Sequence, residues 1–176
     1  MKYDRLKTFR QDTYSMLGKA HDATFELMDS VMTTKNASCL AEFSLSPLFR
    51  RKWSSVYEAL QDSRPNHNKL MRRYIQEIDS SADYVLLAID HTAWSRRGAK
   101  TLCDRTYEHQ ANADNSVTVG QGYSTIAWLP KTEGSWALPL RHERITSYEN
   151  PISKAAWQLK QVCKELHQKV LVGHLA

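Results

Sequence analysis

The spacing of apolar positions changes character near residue 80. Before it, Phe25, Leu27, Met28, Val31 and Met32 recur at helical intervals. Phe49, Trp53, Val56, Tyr57 and Leu60 fall at i, i+4, i+7, i+8 and i+11, one stripe of an amphipathic helix. Ser46 and Pro47 read as the N-cap and first-turn proline of that helix. Ser63-Arg64-Pro65-Asn66 breaks it, and Leu70, Met71, Tyr74, Ile75 and Ile78 mark a second one. The prediction is a helical hairpin with a buried aromatic seam. Its outer surface is basic, made by Arg50, Arg51, Lys52, Lys69, Arg72 and Arg73.

After Ser80-Ser81 the pattern becomes that of a sheet. Tyr84-Val85-Leu86-Leu87-Ala88-Ile89 is a continuous apolar run between Asp83 and Asp90, as in a strand buried on both faces. Residues 91–115 are polar and read as irregular. Val117-Thr118-Val119 and then residues 123–129 predict a second strand, bulged at Gly120-Gln121-Gly122. Residues 135–140 predict a third strand in a hairpin with it, and Pro139 points to an edge or a bulge. Asn150-Pro151 opens a helix whose apolar face is Ile152, Ala155, Ala156, Leu159, Val162, Cys163 and Leu166. Residues 169–173 predict a fourth strand. The expected fold class is therefore α/β: a helical region over 1–80, then a mixed sheet over 81–176 in the order β-β-β-α-β.

Charge adds one feature. The 176-residue chain carries a formal net charge of +5, and residues 47–76 hold all of that excess, with 7 basic and 2 acidic side chains. A clustered excess suits a phosphate-binding face, and it equally describes a solvated hairpin. No apolar run approaches the ~20 residues that span a bilayer, so no membrane partner is expected. Cys39, Cys103 and Cys163 are odd in number and form no CxxC pair, which suggests reduced thiols in a cytoplasmic protein and neither a disulfide framework nor a zinc site.

Asp90 is the main candidate for chemistry. A β-β-β-α-β order with an aspartate ending the buried first strand is the opening of an RNase H-like fold. There, carboxylates at neighbouring strand ends gather two divalent metals about 3.5–4 Å apart, one activating the attacking oxygen and the other stabilising the leaving one. A hard cation such as Mg²⁺ takes oxygen ligands, hence aspartate or glutamate. Arg96, Arg97, Lys100 and Arg105 follow the strand, as phosphate contacts or as solvated loop charges. Asp104 and Glu108 lie in the same stretch, with a structural role favoured for both. Within Arg141-His142-Glu143-Arg144, alternation sends His142 and Glu143 to opposite faces, so they form no catalytic pair.

Four blocks carry a resemblance. They are residues 89–96 (Ile-Asp-His-Thr-Ala-Trp-Ser-Arg), 104–110 (Asp-Arg-Thr-Tyr-Glu-His-Gln), 119–125 (Val-Gly-Gln-Gly-Tyr-Ser-Thr) and 135–147 (Ser-Trp-Ala-Leu-Pro-Leu-Arg-His-Glu-Arg-Ile-Thr-Ser). In that order they resemble bacterial insertion-sequence transposases of the DDE endonuclease superfamily, over roughly residues 40–173. The resemblance implies DNA as partner, Mg²⁺-dependent strand cleavage and strand transfer, and an N-terminal helical, DNA-binding region over 1–80. It makes Asp90 the first catalytic acid and metal ligand, in a partial catalytic core over 81–176.

The family's second acid belongs just after the fourth strand, in a block like Asp-Ser-Glu-Tyr-Gly. Here His174-Leu175-Ala176 stands instead, and a third acid has no counterpart. The expectation is an N-terminal fragment with an incomplete RNase H-like sheet, catalytically incomplete and prone to instability or homo-oligomeric association. Two alternatives stand beside it: a non-catalytic DNA-binding regulator derived from a transposase, and a working metal nuclease with another acid set.

Overall fold

The computed structural model describes residues 2–78, 83–109, 117–130, 136–167 and 169–174. Its contacts divide into two compact units, Met1–Arg73 and Tyr74–Ala176.

The first unit is helical. Helix α1 spans Lys2–Met16 and α2 His21–Thr33; a 3-10 turn at Leu40–Leu45 precedes α3, Ser54–Asp62, and α4, His67–Ile75, starts in this unit. Gly18 turns the chain between α1 and α2 at a φ of 74°, a conformation that suits glycine. The break at residues 63–66 is as expected, and the Asn66 side chain caps α4 by accepting the Lys69 amide at 3.0 Å.

The predicted hairpin is otherwise corrected. Pro47 opens no helix: Ser46 makes a turn by accepting the Phe49 amide at 3.0 Å, and α3 begins eight residues after it, at Ser54. A helix begun at Pro47 would set Arg50, Arg51 and Lys52 near its positive end. Instead Glu26, on α2, accepts the Arg50 amide at 3.1 Å and its guanidinium at 2.9 Å, and Arg51 approaches it at 3.3 Å. The core is therefore Leu27, Phe49 and Val56, with Phe43 against it. Trp53 and Tyr57 are exposed, so the aromatic stripe is not a buried seam. Arg73, expected outside, is buried: it donates to Asp12 at 2.8 Å and lies over the Phe9 ring at 4.9 Å.

The second unit is a five-stranded mixed sheet with a helix on one face. Strands are β1 Tyr84–Ser95, β2 Thr106–His109, β3 Val117–Leu129, β4 Leu138–Ile145 and β5 Lys169–His174, with α5 over Pro151–Cys163. β3 runs antiparallel to β1, and β5 pairs parallel with the other edge of β1. β2 and β4 share the outer edge of β3, at opposite ends. This is the RNase H-like arrangement expected, with β2 added. Its core includes Val85, Leu87 and Ile126, all at most 1% exposed.

Three expectations about the strands change. The polar stretch after Ile89 is not irregular: β1 continues to Ser95, and β2 lies within it. β3 runs through both glycines without a bulge. The one register shift in the β3–β4 pairing falls at Ile126/Ala127, beside Pro139. β4 starts at Leu138 and extends to Ile145; Ser135, where the predicted third strand begins, lies outside the described residues.

Helix α5 forms as read. Asn150 accepts the Ser153 amide at 2.7 Å, and Pro151 occupies the first turn. Its apolar face, however, is split. Val162 and Leu166 are buried, whereas Ile152 is 82% exposed and Cys163 is exposed. The helix sits by way of a polar residue instead. Gln158, fully buried, donates to the Ser124 carbonyl at 3.1 Å and accepts from the Ser124 hydroxyl at 2.7 Å. That anchor sets α5 over β3. It leaves the Ile152–Leu159 side above an open groove of about 450 Å³ bordered by Ile89 and Val172.

Candidate active site

Asp90 lies within β1, the strand flanked by β3 and β5, opposite Thr125 of β3. Among the described residues the parallel ladder with β5 runs to Ile89–His174, next to Asp90. Asp90 is half-exposed, and its Oδ2 accepts the Thr92 hydroxyl at 3.1 Å. It is thus within a central strand and not at the tip of β1.

Alternation along β1 and β3 divides the neighbours between two faces. His91 pairs with Ser124, the residue that anchors α5, so Asp90 and Thr125 face away from the helix. On the Asp90 face the Thr125 hydroxyl and His142 Nδ1 share a hydrogen bond of 2.8 Å. The His142 ring stacks on Tyr123, with centroids 5.1 Å apart and planes 2° from parallel. Tyr123 meets Trp94 at 6.1 Å, and the Arg96 guanidinium covers Trp94 at 3.4 Å from its ring centre. His142 and Glu143 do point to opposite faces, as alternation predicts.

Three other carboxylates of this unit are committed elsewhere. Glu108, buried on β2, accepts the Thr106 hydroxyl at 2.5 Å and lies 3.1 Å from His91 Nε2, on the helix side. Gly122 makes room for that pair: a Cβ there would stand 2.8 Å from Glu108 Oε1 and 2.9 Å from His91 Nε2. This close approach, and no bulge, is what requires glycine at 122. Asp104 accepts the Ser147 amide at 3.1 Å and pairs with Arg144 at 2.9 Å. The hydrogen bonds from Ser147, aided by the Arg144 charge, hold its carboxyl below the usual range. Glu143 pairs with Arg141 and, at 3.0 Å, with Lys154 of α5. Burial pushes its carboxyl up, but the hydrogen bonds and charges of those two cations outweigh that and leave it below the usual range. Asp104 and Glu108 are thus structural.

The sequence-predicted cations divide the same way. Arg97 donates to the Thr118 hydroxyl at 3.1 Å, and Arg105 to the Arg96 and Arg97 carbonyls at 3.1 and 3.2 Å, so both brace the link after β1. Arg96 lies on Trp94, and Lys100 is exposed. In the helical unit Arg50 and Arg51 are tied to Glu26 and Arg73 to Asp12, whereas Lys52, Lys69 and Arg72 are exposed.

No group of three His, Cys, Asp or Glu side chains among the described residues could hold a metal ion. Asp90 is a hard oxygen donor of the right kind, but one carboxylate does not bridge two cations at catalytic spacing. The described residues therefore do not fit a complete two-metal centre. No helix among them is long and apolar enough to cross a membrane.

The sequence is matched over residues 12–174 by a family model described as DDE superfamily endonuclease. That family generally uses divalent metals. No curated protein and no solved structure matches the chain.

Proposed function

Because the chain belongs to the DDE superfamily of endonucleases, we propose that it is part of a bacterial insertion-sequence transposase acting on DNA. Asp90 is the first of that enzyme's catalytic acids and a ligand for Mg²⁺. Residues 1–80 form its DNA-binding region and 81–176 part of its catalytic core. The observation that carries the reading is Asp90 itself. It is a partly exposed carboxylate within a central strand flanked by β3 and β5, inside the matched span. A carboxylate from the chain following β5 is the natural neighbour for it.

Among the described residues no group of three His, Cys, Asp or Glu side chains could hold a metal ion at Asp90. We therefore take the described residues as catalytically incomplete by themselves, with the remaining acids supplied from elsewhere in the polypeptide. Exposed Lys52, Lys69 and Arg72 of the helical unit, with Lys100 and Arg96 of the sheet unit, are the cations best placed to meet phosphates. The three free, exposed cysteines suit a reducing compartment, the bacterial cytoplasm.

The alternative, a DNA-binding regulator without catalysis, draws on the same missing cluster. Two measurements on the whole chain test these readings. A mobility-shift titration should show binding that weakens steeply between about 50 and 200 mM salt; salt-insensitive binding would exclude phosphate contacts. Supercoiled plasmid with Mg²⁺ should stay intact. Nicking that disappears in Asp90→Ala would replace incompleteness with a working nuclease.

A further inference from the structure

The Asp90 face carries a feature that neither core packing nor metal chemistry uses. Arg96, Trp94, Tyr123 and His142 form one continuous row of cation and ring contacts across β1, β3 and β4, stacked at Tyr123–His142 and tilted at Trp94–Tyr123. The row ends on Thr125, the residue paired with Asp90. Cross-strand register builds it: Thr92 lies opposite Tyr123 and Thr125 opposite His142, so Trp94 and His142 meet Tyr123 on its two diagonals. These rings are not core. Trp94 is 49% exposed, His142 is exposed and Tyr123 half-exposed. Tyr107 of β2, 81% exposed, alternates onto the same side of the sheet.

We propose that this face is a stacking platform for the bases of an unpaired DNA strand, which it holds alongside Asp90. The inference rests on the reading of the chain as a DNA-acting protein and adds the form of the DNA. Base–aromatic stacking needs π-faces that a duplex keeps occupied by its own neighbours, so a row of exposed rings selects unpaired nucleotides. Arg96 supplies the charge. Its guanidinium lies over the Trp94 ring, where a base would otherwise stack. Transfer of that cation to a phosphate frees the ring and neutralises the backbone in one movement. Lys100, exposed in the segment after β1, extends the positive side of the row. Thr92, Thr125 and His142 line the path to Asp90 with hydrogen-bonding groups able to fix a strand's register.

The test is fluorescence-anisotropy binding of the whole chain to a labelled single-stranded oligonucleotide and to the corresponding duplex, across a salt series. The expected result is tighter binding of the single strand. Trp94→Ala and Tyr123→Ala should each weaken it roughly 5- to 100-fold with no change in salt slope, since stacking is not ionic. Trp94→Phe should recover most of the loss. Arg96→Ala should lower the salt slope by about 1. Tyr148→Ala, on an almost fully exposed ring beyond β4, should change nothing. Circular dichroism confirms that each variant is folded.

Absence of binding to either DNA overturns the DNA-acting reading and this inference with it. Binding that prefers duplex, or that folded Trp94→Ala and Tyr123→Ala variants leave unchanged, overturns the platform alone.

Discussion

The two faces of the sheet solve different problems with similar residues. On the helix side, most polar groups are paired with one another. Gln158 and Ser124 satisfy each other, Glu143 is shared by Arg141 and Lys154, and Glu108 accepts from Thr106, with His91 Nε2 3.1 Å away. Arg141, buried, also lies over Trp157 at 4.7 Å. On the Asp90 side, the same kinds of group line up and remain partly open to solvent. A cation there rests on a ring instead of a carboxylate, and Asp90 has a hydroxyl as neighbour. Polar residues that close on one another hold a helix in place. Polar residues left in a row keep hydrogen bonds and π-faces for something else. If this contrast is real, variants on the helix side cost stability, and variants on the Asp90 side cost binding.

The largest effect should come from the apolar centre of the helix side. Leu87, opposite Trp128, and Ile126, opposite Ile89, share that face, both fully buried. Leu87→Ala should lower the unfolding free energy by about 2–5 kcal/mol, read from urea denaturation, through lost transfer energy and the cavity left behind. A loss under about 1 kcal/mol would mean that the helix side is loosely packed.

Next comes the polar anchor. Ser124→Ala removes a donor and leaves buried Gln158 Oε1 with nothing to accept, at about 1–3 kcal/mol. Ser124→Ala with Gln158→Leu removes both partners, so it should recover part of that loss. The double-mutant cycle decides whether the pair is coupled.

A smaller effect is pH-dependent. Glu143 has its carboxyl held below the usual range in the folded state. As pH falls, the unfolded chain therefore takes up that proton first. The stabilisation is complete above the ordinary glutamate range, near 4.5, and is lost as pH drops through the folded value. Asp104 and Glu149 are depressed too and act in the same direction. Glu143→Gln should lower the melting temperature at neutral pH and make the acid-side decline shallower without abolishing it. An unchanged slope would show that Glu143 does not couple protonation to folding.

How much of this could be read from sequence depends on distance along the chain. The buried first strand, the capped α5 and the strand order are written in local signals: a continuous apolar run, Asn150-Pro151, and turn residues between strands. Asp90 was legible because it ends that run. The failures share a cause. Ser46-Pro47 is a sound local start signal, but Glu26, far upstream, takes Arg50 and holds the segment out of a helix. The second half of β1 read as loop because His91, Thr92, Trp94 and Ser95 are mostly polar; their partners are on other strands, so no apolar alternation marks them. Gly122 suggested a bulge, whereas its cause is the His91–Glu108 pair packed against it. The ring row was invisible for the same reason: Trp94, Tyr123 and His142 come together through register alone.

The smallest expected stability effect is the one that most sharpens the comparison. Trp94 is 49% exposed, and its contacts are a tilted ring and a half-exposed guanidinium. Trp94→Ala should cost under about 1 kcal/mol, the scale of an exposed cation–π contact with modest burial. A large aromatic residue whose removal barely touches folding is not there for folding. Should Trp94→Ala instead unfold the sheet as strongly as Leu87→Ala, the row is packing, and the two faces do not differ in kind. Should it leave both stability and DNA binding untouched, the exposed ring has no use that either face explains. A near-neutral fold with a clear binding defect is the result that the contrast requires.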